Sequence, residues 1–483
     1  MLCRLIPNFL TKLLPAVMLV LIAAVASNAG WLYALADEAN GNDIYGFAVN
    51  ESTGEITALP GFPVATGGAG NDVALICHRL VVDAANNRLY AVNNASGSIS
   101  AFSINPSTGA LSPMPFSPIN IGVGTWNAMD IHPSGSPLIV SNGASPGGAT
   151  SIRITATSAE IVTGSPFTTG GATAFSNTFS TDGSFYYVGG NTGAAVAGFS
   201  VDPGTGVLTP LAGSPFATGS NNPVAHAADS QGRLFLLNTG STASPPPIRV
   251  FTTSAGIPTP VTNSPFTSGL SQRRDSLIHP GGEFFVVAGN SGNNVGVYRI
   301  SGSGADTTVA AVPGSPFPGG GTTANVLAMN EAGNFLYLGN RLSRNITTFA
   351  FDAGTGALTT LAVQPSNTLG NIGSVTGMAY LPPGPLVAEA NISGRITTAE
   401  GNGVGNTVVY LESSDQSIRM SAITSPFGYF SFLSVPTGRS YTITPSRKGF
   451  AFTPASIVRD HNEEVNNLDF VGSGGLLLEK VQK

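Results

Sequence analysis

No lysine occurs between Lys12 and Lys448, and charged residues of all kinds make up only 10% of the 483-residue chain. Ordinary soluble domains carry roughly a quarter. At a formal net charge of −6, the chain lacks the basic surface that binds a polyanion, which argues against nucleic acid as a partner. Cysteine is nearly missing, with Cys3 and Cys77 the two present. If Cys3 is lost with a leader segment, Cys77 has no partner for an intrachain disulfide. Catalytic signatures are missing too: there is no H-E-x-x-H, paired C-x-x-C or P-loop. No cofactor and no metal site is expected. The acidic and amide group Asp37, Glu38, Asn40, Asn42 and Asp43 lacks the spacing of a calcium loop and reads as a solvated hairpin tip.

What is abundant is turn chemistry. Gly (61) and Pro (34) are frequent, yet below the level of low-complexity disorder. The N-terminus carries Arg4 and Lys12, the apolar run LLPAVMLVLIAAVA (13–26) and then SNAG, with no acidic residue. That order predicts a secretory signal peptide over 1–29, cleaved after Ala29 or Ala26. The run is short for a bilayer span of about 20 residues, an uncleaved anchor being the alternative. The mature chain is therefore expected to be secreted, periplasmic or on the cell surface, with no membrane span.

The strongest signal is a repeat. GSPFTTG begins at Gly164, GSPFATG at Gly213, NSPFTSG at Asn263 and GSPFPGG at Gly314, with weaker copies around Val64, Phe116 and Ser366. Seven copies at a period of about 50 residues indicate a ring or solenoid. Each unit also holds an aromatic, β-branched run such as RLYAVNN, SFYYVGGN or EFFVVAGN. A second alternating run follows, then a turn often containing Thr-Gly, then a short strand ending at Ser-Pro-Phe. One more strand precedes each aromatic run. Four strands in each of seven units predict an all-β fold led by a seven-bladed β-propeller over 31–385. The first unit starts at Trp31 without its innermost strand, and VTGMAYL (375–381) arrives with no unit of its own. Together they complete one blade and leave no open edge. A motif repeated seven times around a ring builds blades rather than one active site. Its Pro stops further pairing, and its Phe adds apolar bulk between blades.

After LPPGP (381–385) the texture changes. ISGRITTAEG, GYFSF, VPTGRSYTI and the closing LDF closely resemble a carboxypeptidase regulatory-like domain. The resemblance implies a small transthyretin-like β-sandwich over 386–472 without metal or catalytic residues. Alternating short strands with turn signals give the same sandwich. Residues 473–483 read as a flexible tail.

Ligands of propellers commonly sit at a mouth of the central channel, so polar groups on the innermost strands are the candidates. His132 and His279 begin His-Pro-x-Gly turns, whereas His78 and His226 lie nearer the starts of their strands. Near that end also fall Arg79, Asn127, Arg273, Arg274, Asp275 and Asn325. Such a ring suits a carboxylate or an ester carbonyl. In a catalytic reading, His78, Arg79 and Arg274 bind or polarise the substrate and Asp275 orients them, while Asn127, Arg273, Asn325 and His226 line the ligand site. In a structural reading, the arginines and Asp275 form ion pairs between blades.

RRDSLIHPGGEFFVVAGN (from Arg273), DIHPSGSPLIVSN (from Asp130) and the recurring Thr-Gly-x-Leu before Ser-Pro-Phe resemble the lactonase-type β-propellers, which include the propeller 6-phosphogluconolactonases. The resemblance spans 31 to about 385 and implies a channel-mouth site where Arg274 and His279 sit in a well-matched segment. Two departures set this chain apart. Its aromatic strands do not run into Asn-Glu, and the lysine-free propeller offers a sugar phosphate ten arginines alone. A true 6-phosphogluconolactonase is therefore not expected. The reading that follows is an exported binding or interaction scaffold for a glycan, protein or lactone. An extracellular lactone hydrolase is the alternative.

Overall fold

The structure is a computed structural model that describes residues 29–474 apart from 40, 72–77, 144–146, 171–173, 191–192, 220–221, 239–246, 365–372, 384–388, 415–417, 438 and 462–463. The expected signal peptide and Cys77 thus lie outside the described residues. The chain divides into two compact units, Met1–Pro383 and Gly384–Lys483.

The first unit holds seven antiparallel sheets, six of them running in chain order from an inner to an outer strand. Their innermost strands meet neighbour to neighbour around a closed ring. Closure is completed where Gly30–Ala36 pairs with Val375–Leu381, Trp31 opposite Leu381. The second strand of each blade is buried on both faces, which is why it reads as an apolar run rather than an alternation; Phe284–Gly289 is buried along its whole length.

The Ser-Pro-Phe motif breaks the outer strand in two. In five blades both pieces pair with the same third strand, as Ala159–Ile161 and Phe167–Thr168 do with Gly148–Ile154. At the break, the motif serine replaces the missing backbone acceptor. Amides of Ala101, Ser151, Gly198, Val250 and Val297 donate to the hydroxyls of Ser117, Ser165, Ser214, Ser264 and Ser315 at 3.0–3.2 Å. An outer edge that would leave a half-buried N–H orphaned is thereby satisfied. The phenylalanine packs beside it: a Cβ on Gly198 would sit 2.9 Å from the Phe216 ring.

Blades are tied to one another by the aromatic run and the turn that joins the third and outer strands. Tyr33 donates to the Gly109 carbonyl and Tyr187 to Gly256, both at 2.8 Å, each reaching the turn of the next blade. Tyr337 makes the equivalent, longer contact with Gly54 across the ring closure. Apolar clusters span the same junctions, joining Phe235, Val250, Phe285 and Tyr298 in one and Val286, Leu327, Leu336 and Phe349 in another.

The second unit is a β-sandwich of two four-stranded sheets. One orders Tyr429–Pro436, Glu389–Thr397, Val465–Gly474 and Phe450–Thr453; the other orders Arg419–Ile423, Val408–Ser413, Arg439–Ser446 and Ile457–His461. Period-two alternation sends Phe430 and Phe432 inward to Ile392, Val409, Leu411, Tyr441 and Phe470, leaving Tyr429 and Ser431 outward. The closing strand continues to Gly474, paired with Phe450, two residues into the stretch expected as a tail.

Candidate functional site

Equivalent positions of the innermost strands can be read from their pairing. Trp126, Ala174, Pro223, Arg273, Ala324 and Val375 each oppose the end of a second strand, and a register shift follows each one. The next residues, Asn127, Arg274 and Asn325 among them, therefore share one height at one end of the ring.

Two of the candidates meet there. His78, in the second blade, directs Nε2 to the Asp275 carboxylate of the sixth. These blades are not neighbours, so the contact spans the centre of the ring. Asp275 is 3% exposed. Besides His78, its oxygens accept from the amides of Ser276 and, in the adjacent blade, Leu327, both at 2.7 Å. His78 keeps 37% of its side chain exposed and adopts a left-handed backbone, φ 62°. Histidine tolerates that region better than most residues, and such outliers gather at functional sites. Burial alone would lower its pKa, but the Asp275 carboxylate outweighs it and Asp130 adds to the effect. The imidazole is pushed up to about 9. At neutral pH it is an imidazolium, an anion-binding group or proton donor rather than a general base.

Asp130 is the residue sequence reasoning missed. It stands on the third blade's inner strand, accepting from the amides of Phe179 (3.0 Å) and Ile131 (2.9 Å). Its pKa is raised by burial, against the lowering effects of the Phe179 amide and His78. The segment DIHPSG drew notice for its turn, and nothing in its pattern shows that its carboxylate would take the next blade's amide and act electrostatically on His78.

The other candidates separate. Arg79 is completely buried, its guanidinium on the equally buried Asp37 and 3.1 Å from Asn71 Oδ1. Asn127 and Asn325 are completely buried and donate to the carbonyls of Ala174 (2.7 Å) and Val375 (3.0 Å) in the adjoining blades. Arg274 is 8% exposed. Arg273 lies on the inner strand opposite Gly289. His226 is buried with Nδ1 3.2 Å from Ser176 Oγ. Burial, then the positive His78, push its pKa down to about 3, so it is neutral. His132 and His279 hold their turns, His132 through Ser134 (2.8 Å) and His279 through the Gly281 amide (2.9 Å) and Gly333 carbonyl (3.0 Å). In the hairpin cluster, Asn42 turns inward to Val92 and Asn93, while Glu38 faces Arg344. Among the described residues no group of three or more His, Cys, Asp or Glu side chains gathers as a metal site.

Residues 248–370 match the family described as Lactonase, 7-bladed beta-propeller, and 391–471 match the Carboxypeptidase regulatory-like domain. The first unit is a lactonase-like seven-bladed propeller and the second a carboxypeptidase regulatory-like domain. No curated protein matches the chain. Among solved structures, a periplasmic gluconolactonase of Pseudomonas aeruginosa is 15% identical with a TM-score of 0.57, covering 74% of this chain and 99% of that one. A candidate 6-phosphogluconolactonase from Bacteroides fragilis gives the same four values. A functionally unknown protein of Desulfotomaculum acetoxidans is 15% identical with a TM-score of 0.51, covering 74% of this chain and all of that one. At such identities the likeness is one of fold.

Proposed function

We propose that the chain is an exported binding protein, with the lactonase-like propeller as recognition head and the regulatory-like sandwich as a second module. The observation that carries this reading is that two of the groups suited to act on a lactone, Asp275 and Arg79, are committed to the fold. Asp275 already accepts from two backbone amides and His78, and Arg79 is sealed against Asp37. An arginine so placed leaves its carboxylate only at the cost of an unpaired buried charge. Export is supported by the basic and apolar N-terminal segment and by the periplasmic location of the gluconolactonase from P. aeruginosa. No helix among the described residues is long and apolar enough to cross a membrane.

One observation favours a second reading, lactone hydrolysis. The part-exposed His78 imidazolium in the centre of the ring is placed to donate a hydrogen bond to a carbonyl oxygen. The deciding experiment is hydrolysis of γ- and δ-lactones, with and without phosphate, by the full mature chain beside His78→Ala and Arg274→Ala. The binding reading expects the same background rate in all three. Turnover lost in both variants overturns it in favour of a lactonase.

A further inference from the structure

The exposed face of the sandwich carries a cleft that neither the lactonase-like blades nor the inner-strand residues involve. It measures about 900 Å³, within the range of roughly 300–1,000 Å³ typical of small-ligand sites. Its walls come from the strands Glu389–Thr397, Tyr429–Pro436 and Val465–Gly474, with Arg419–Ile423 along one side. We propose that this cleft binds a neutral oligosaccharide.

Four features point to that ligand. The floor holds a large aromatic ring, Tyr429, 57% exposed on a face where alternation ordinarily places small polar residues. The Arg395 guanidinium lies 4.9 Å from its centroid, and Arg395 Nε is fixed on the Phe427 carbonyl at 3.0 Å. The ring is thus held as a platform, and immobilising it on binding costs little. Around it stand groups that both donate and accept: Ser393, Asn466 and Asn467, with Ser393 Oγ donating to Asn466 Oδ1 at 3.1 Å. The charges in the lining are one of each sign, Arg395 and Asp469, and Asp469 is oriented by the Arg395 amide at 3.2 Å. Sugar rings present an apolar C–H face bordered by hydroxyls, which an aromatic platform edged with amides and a fixed carboxylate complements. A charge-balanced lining disfavours polyanions. Phe427, 71% exposed beside this strand, extends the apolar surface.

The proposal concerns the sandwich and holds whether the propeller binds or hydrolyses. The test is affinity electrophoresis and calorimetry of the full mature chain with neutral hexasaccharides of glucose, xylose and mannose in α and β linkage, beside heparin as a polyanion. Binding of at least one neutral glycan is expected, weakened about tenfold by Tyr429→Ala and unchanged by Tyr410→Ala, an exposed tyrosine on the other sheet. Both sites are on the surface, so folding is retained, as circular dichroism would verify. Failure of every neutral glycan to bind, binding of heparin alone, or equal affinity in the Tyr429→Ala protein would each overturn the proposal.

Discussion

Substituting Asp275 by Asn removes the charge that holds His78 protonated and leaves the imidazole to its burial. In the native protein the folded pKa of about 9 lies above the ordinary histidine value of roughly 6.5. The folded state therefore binds the proton more tightly than the unfolded chain. The stabilisation is fully present below pH about 6.5 and is lost as pH rises through about 9. Taken at face value the shift corresponds to about 3 kcal/mol. Because 37% of the side chain meets solvent, screening reduces this to about 1–2 kcal/mol. The groups acting on His78 are Asp275, Asp130 and His226, and Asp275 dominates. The direct assay is NMR titration of 13Cε1-labelled histidine, practical because the chain has five histidines. One imidazole should titrate near pH 9 and another, His226, should remain neutral down to about pH 3. In the Asp275→Asn protein the high titration should fall to the ordinary range or below it, since burial then opposes only Asp130. Calorimetry gives the same answer energetically: His78→Gln should lower the propeller transition by about 1–3 °C at pH 6 and by much less at pH 10. If all five imidazoles titrate between pH 6 and 7 in the native protein, the cross-channel pair does not form and the reasoning fails.

Other consequences are simpler to read. Replacing Arg79 by Ala strands Asp37 in the interior and should cost about 3–5 kcal/mol in urea denaturation. Replacing Asn325, which spends its amide on the Val375 carbonyl at the closing blade, by Ala should cost about 1–3 kcal/mol. Ser214→Ala removes the acceptor for the Gly198 amide and should cost about 1 kcal/mol. Tyr187→Phe, which frees the Gly256 carbonyl, should cost about the same. Equal stability of Ser214→Ala and the native protein would mean that water serves the outer-strand break as well as serine does.

The ring was legible because its physics is periodic. An apolar second strand recurs in every blade, and a turn glycine and a broken outer strand recur in most of them, so the same requirements are written repeatedly at one period. Even the closure could be read, because Trp31 lacked an inner strand and Val375–Leu381 lacked a blade. The part played by the Ser-Pro-Phe serine was not legible, since its hydroxyl serves a strand some fifteen residues earlier and the sequence does not show where that ladder loses an acceptor. The sandwich cleft was equally hidden. Its residues lie on separate strands, and the alternation that identifies a strand says nothing about which outward side chains become neighbours.

The central site is hard to read for the opposite reason: it lies where the repeat is broken. The position after the paired residue holds Asn127, Phe175, Val224, Arg274, Asn325 and Thr376 in six of the inner strands, so amide, apolar, cationic and hydroxyl side chains stand at equivalent places. A symmetric ring would place seven identical groups there, which suits one ligand geometry poorly, because most substrates lack sevenfold symmetry. Differences among equivalent positions are thus what a ring must acquire to bind anything specifically. Sequence reading finds those positions by period, but their partners are set by which blades face each other across the axis. His78 and Asp275 are 197 residues apart in the chain. Arg79, one residue from His78, turns instead into a buried pair with Asp37. Adjacent residues on an inner strand face opposite neighbouring blades, so a candidate list drawn by height alone mixes groups that meet at the centre with groups that hold the blades together.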